Sequence, residues 1–146
     1  MMISALKKLL NQRLGDTGPR LTQSEAAAAL LIEVVLADED LSGSEQQLLP
    51  ELIARLTGVS TDEAHNLITN ALDRHQQAIS FFEYTDLINK QFDLAEKQSL
   101  ILAMWQLGFS DGELCQYEEQ IIRKTADLLY LKHSELIQLR NQAKAG

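Results

Sequence analysis

The chain has 146 residues, 45% of them hydrophobic and 23% charged, with two prolines, seven glycines and one cysteine, the profile of one compact domain. A chain of this length hides roughly 68 to 70% of its unfolded surface, so no structural metal is needed, and one cysteine excludes an internal disulfide. Without a signal peptide it reads as cytoplasmic, and its formal charge of −8 argues against nucleic acid as a partner and repels oxyanions.

Leu and Ala dominate and no alternating run appears, so the sequence predicts an all-α fold: a single bundle of about seven to eight helices. The first predicted helix covers residues 3–14, within a segment, 1–20, whose charge is +3 against −11 for residues 21–146. Ile3, Leu6, Leu10 and Leu14 make an apolar stripe on it. Such a stripe packs on its own domain, fills a partner's groove, or lies on an anionic membrane, so a peripheral membrane contact through residues 1–20 belongs among the expectations.

The remaining helices are expected at 23–38, 43–57, 61–79, 81–91, 94–109, 115–131 and 134–144. Two of them, AAAALLIEVVLA from Ala26 and LILAMWQLGF from Leu100, are apolar nearly all round, as central helices should be, and both fall short of the roughly 20 residues of a membrane span. Starts are marked by capping boxes at Thr22/Glu25, Ser42/Glu45, Ser60/Glu63, Ser80/Glu83 and Asp93/Glu96. Gly58 and Gly108 mark stops. Pro50 removes a backbone donor inside the third helix and predicts a kink or a later start.

A gapless shift of 73 residues aligns the chain with itself. Asp38 falls on Asp111, Leu41 on Leu114, Glu45 on Glu118 and Leu56 on Leu129, while the lone polar residue of each central helix matches too, Glu33 on Gln106. Residues 21–146 therefore read as two pseudo-symmetric helical repeats, about 22–79 and 94–144.

The repeat carries the pattern D-x-[DE]-L-x-x-x-E, as DEDLSGSE from Asp38 and DGELCQYE from Asp111. The first two acids of each copy sit at a helix carboxyl end, where every anion costs about 0.3 to 1 kcal/mol against the dipole and a cation reverses the cost. With a third carboxylate in the next helix, each copy offers oxygen ligands for Ca²⁺, Mg²⁺ or Mn²⁺; zinc is disfavoured, because no His or Cys cluster stands beside them. An EF-hand fails at position twelve, where Leu49 and Ile122 replace the bidentate Glu. The alternative is capping alone. It accounts for Glu45 through Ser42, but fits Glu118 poorly, because Cys115 stands at the matching cap position.

Through LLIEVVLADEDLSGSE and LAMWQLGFSDGELCQYEE, each followed by an amphipathic helix, residues 22–144 resemble the TerB-like family of tellurite-resistance domains, which also includes the amino-terminal region of a membrane-anchored DnaJ-like co-chaperone. The resemblance implies an all-helical fold in two related halves, a non-enzymatic role in a stress-response assembly with an unidentified protein partner, and divalent-cation binding by acidic loop residues. Carried over by position, the metal candidates are Asp38, Asp40 and Glu45 in the first half and Asp111, Glu113 and Glu118 in the second. The first loop departs from the family's commoner Asp-Gly start, with Glu39 where the second has Gly112. The alternative function is a metal-free interaction module using the acidic loops or the amino-terminal helix.

Asp62 and His65 form half of a di-iron motif, but His75 and His133 supply no second half, so the histidines read as surface or packing residues. Cys115, among Asp111, Glu113, Glu118 and Glu119, is expected to stay a thiol. No Ser-His-Asp order, phosphate-binding loop or dinucleotide fingerprint occurs. Trp105, Phe109, Tyr117 and Tyr130 are expected in the core.

Overall fold

A computed structural model describes residues 22–37, 43–76, 81–110 and 114–145, with backbone only at 43–46 and 74–76. Among these residues there are seven helices and no strand: α1 (Gln23–Ala37), α2 (Gly43–Thr57), α3 (Thr61–Gln76), α4 (Phe81–Gln91), α5 (Leu94–Gly108), α6 (Gln116–Leu128) and α7 (His133–Ala145). The predicted helix at 3–14 lies outside the described residues.

α1 is the axis of the bundle because almost its whole circumference is apolar. Ala26 to Ile32, Val34 and Val35 are all buried, and α2, α3, α4, α5 and α6 pack around them. α5 plays the same part in the second half, burying Leu100, Ile101, Met104, Trp105 and Leu107 against α1, α2, α6 and α7. Exchanging the halves maps one contact onto another. α1 on α3 becomes α5 on α7, α1 on α2 becomes α5 on α6, and α1 on α6 becomes α5 on α2.

Helix starts follow the local chemistry. Thr22 Oγ1 accepts from Glu25 N–H at 3.1 Å and Ser60 Oγ from Glu63 N–H at 3.2 Å. Asp93 and Glu96 complete both halves of a capping box at 2.8 and 3.0 Å. Ser42 and Ser80 lie outside the described residues. Of the two outcomes expected at Pro50, a kink or a later start, the later start does not occur: α2 begins at Gly43 and runs through Pro50, which is buried, so tertiary packing outweighs the lost donor.

Three sequence expectations need correction. A peripheral membrane contact through residues 1–20 is withdrawn: no helix of the described residues is long and apolar enough to cross a membrane, and residues 1–20 themselves lie outside them. The sixth helix ends at Leu128 rather than 131, because side chains from other helices take up its last carbonyls. Of the four aromatics expected in the core, Trp105 is fully buried and Phe109 half-buried, but Tyr117 and Tyr130 are exposed, on the first turn of α6 and in the turn after it.

Candidate functional site

The second acidic loop leaves α5 and enters α6, and both of its flanks are fixed by packing. On the α5 side, Ser110 folds back so that its hydroxyl donates to Leu107 O at 2.7 Å. On the α6 side, Leu114 lies against Gly108: a β-carbon on Gly108 would stand 2.5 Å from Leu114 Cδ1, so the absent side chain is what lets the loop's exit pack this closely on α5. Asp111 and Glu113, between these anchors, lie outside the described residues.

Glu118 is the one metal candidate whose side chain is described. It is 1% exposed, on the first turn of α6 beside the loop. Its Oε1 accepts from Cys115 N–H at 3.1 Å, and Cys115 Sγ accepts from Glu118 N–H at 3.4 Å. This is a complete capping box built on a thiol, and it corrects the expectation that capping fits Glu118 poorly. Position did signal it, since Cys115 falls on Ser42 in the 73-residue register.

The same geometry governs the thiol. Burial raises the Cys115 pKa above its ordinary value, and the hydrogen bond to Glu118 and its negative charge push it further up, against backbone N–H groups that lower it. The group is a capping acceptor in its neutral form and a poor nucleophile.

In the first half, Asp38 and Asp40 lie outside the described residues, and Glu45 is placed on α2 by its backbone alone. Among the described residues, no group of three or more His, Cys, Asp or Glu side chains comes together as a metal cage. His65 and His133 are exposed, as is Asp62, and they converge on no such group.

Residues 24–141 match the family profile described as Tellurite resistance protein TerB. No curated protein and no solved structure matches the chain.

Proposed function

The chain belongs to the TerB family, whose domains are non-catalytic modules, and on that premise we propose that it binds a divalent cation at its acidic loops within a cytoplasmic stress-response assembly. The second loop is the better site, with Asp111 and Glu113 from the loop and Glu118 at its base; Asp38, Asp40 and Glu45 are the equivalent set in the first half. Ca²⁺, Mg²⁺ and Mn²⁺ suit an all-oxygen donor set of this kind.

One observation carries the reading: the Glu118 carboxylate is almost wholly removed from water directly beside a loop that adds two more acids. Burying a carboxylate is costly unless its charge is compensated, and the α6 amino terminus and the Cys115 N–H both contribute to that compensation. A hard cation held between Glu118 and the loop acids would relieve the mutual repulsion of three neighbouring carboxylates.

The second reading is a metal-free interaction module, and the Cys115–Glu118 capping box favours it, because it gives Glu118 a purely structural task. Calorimetric titration of chelator-treated protein with each of the three cations separates the two. At 100 times its dissociation constant a bound cation adds about 2.7 kcal/mol of stability, a rise of several degrees in Tm that chelator removes. Asp111→Asn should shrink that rise without lowering the metal-free Tm, and Glu118→Gln, which keeps an acceptor for Cys115 N–H, should do the same. Identical melting of wild type and Asp111→Asn with each cation and with chelator would leave the metal-free module standing.

A further inference from the structure

A groove follows α2 along the side that faces α5. Three cavities of about 310, 380 and 310 Å³ adjoin there, the first two sharing Leu52, Arg55 and Gln106 and the last two Leu48 and Ser110. Leu48, Leu52 and Leu56, four residues apart, form one apolar wall, with Leu102 and Phe109 of the α5 side opposite. Apart from Leu52 these side chains are only half-buried. Between Gln47 and Leu56 the groove is about 14 Å long, from the helical rise.

We propose that the groove is the docking site of the chain's own residues 1–20, seated as an amphipathic helix. The match is one of pattern, length and charge. Ile3, Leu6, Leu10 and Leu14 repeat at helical spacing and would span about 16 Å, close to the length of the groove. Gly15, Gly18 and Pro19 follow, residues that end a helix and let the chain turn back, and the seven residues between Leu14 and Thr22 reach up to about 23 Å.

Charge points the same way. The segment is +3 and the rest of the chain −11. Glu51, Asp93 and Glu96 line the groove against Arg55 and Lys144. Carboxylates at both ends of the groove, Glu51 near Ser110 and Asp93 with Glu96 near Leu56, are thus available to Lys7, Lys8 and Arg13 spread along the segment. Docking there also uses the apolar stripe within the domain. The inference does not depend on cation binding, and its test is run in chelator.

The test places a nitroxide at Gln12→Cys in the full chain, with the native thiol removed by Cys115→Ser, which keeps a capping acceptor. Methyl NMR signals of Leu48, Leu56 and Leu102 should fall below half intensity, while those of Leu72, exposed on α3, keep theirs. The loss should persist on dilution and should be absent when isotope-labelled chains without nitroxide are mixed with spin-labelled unenriched chains. Full intensity at the three groove leucines overturns the proposal, and so does broadening in the mixed sample, which would put the segment of a second copy in the groove. The labelled protein decides alone; adding Leu6→Asp with Leu10→Asp should restore the three signals.

Discussion

α2 leaves its last turn through Gly58, at φ +76°, whereas α6 leaves through Tyr130, at φ +64° and 81% exposed. The left-handed conformation is free for glycine but costs other residues about 1–2 kcal/mol. In the first half the stop is local: Gly58 N–H donates to Ala54 O at 2.9 Å and Thr57 Oγ1 to Ile53 O at 2.6 Å. In the second it is tertiary. Asn89 of α4 donates to Leu128 O at 2.9 Å and Lys97 of α5 to Leu129 O at 3.3 Å. Tyr130 and Leu131 N–H close the turn onto Asp127 and Ala126, both at 3.0 Å, while the Lys97 ammonium lies 5.9 Å from the Tyr130 ring centre. A helix stops where its last carbonyls find donors, and glycine is only one way to arrange that.

The largest test of the two halves lies at their shared centre, where Ile32 and Trp105 occupy one register position and both are buried. Trp105→Ala should cost about 3–5 kcal/mol by urea unfolding, against about 0.5–1.5 for Ile32→Val. Trp105→Phe should cost far less than Trp105→Ala, because the buried indole N–H has no acceptor among the described residues and its removal leaves none of them unpaired. Equal losses for Trp105→Ala and Ile32→Val would mean that the second half does not lean on its tryptophan.

Gly58→Tyr carries the second half's solution into the first, without the lysine beneath the ring. A loss of about 1–2 kcal/mol is expected, with space at the site no obstacle, since among the described residues no atom beyond the chain neighbours lies within 4 Å of a β-carbon there. The reverse change, Tyr130→Gly, should be neutral or slightly stabilising, relief of φ being offset by the lost ring contact and a freer unfolded chain. A clear loss on Tyr130→Gly would show that the ring contact outweighs the strain.

The Gly58 stop was legible in the sequence and the Tyr130 stop was not, for a physical reason: its donors, Asn89 and Lys97, lie 39 and 32 residues from the carbonyls they satisfy. The two central helices were legible because each is apolar all round. Cys115 was missed as a cap because thiols stand outside the preferred N-cap residues, although the register with Ser42 marked the position. The candidate cage was legible as spacing only; of its six carboxylates the described structure places the Glu118 side chain and the backbone of Glu45.

Smaller effects separate the thiol cap from an ordinary one. Cys115→Ala should cost about 1 kcal/mol, while Cys115→Ser should be neutral or gain slightly. Since the folded-state pKa of Cys115 is raised, the unfolded chain loses its proton first. The stability this group contributes is full below the thiol's ordinary value of 9.0 and falls as pH rises from there through the folded-state pKa. Wild type should therefore lose more stability than Cys115→Ser above pH 9, and iodoacetamide should alkylate Cys115 at neutral pH no faster than a free cysteine. A rate well above that reference would contradict the protected thiol.

Leu114 rests where a side chain of Gly108 would be, on the last turn of α5, and three residues earlier the same helix carries the chain's single tryptophan, stacked on Phe109 at 6.0 Å between ring centres. The exit of the second acidic loop thus rests on α5 within one helical turn of the only indole in the molecule. Trp105 emission is therefore expected to report a shift of Leu114 without any added dye. Filling the space with Gly108→Ala should push Leu114 aside and change the emission even with nothing bound.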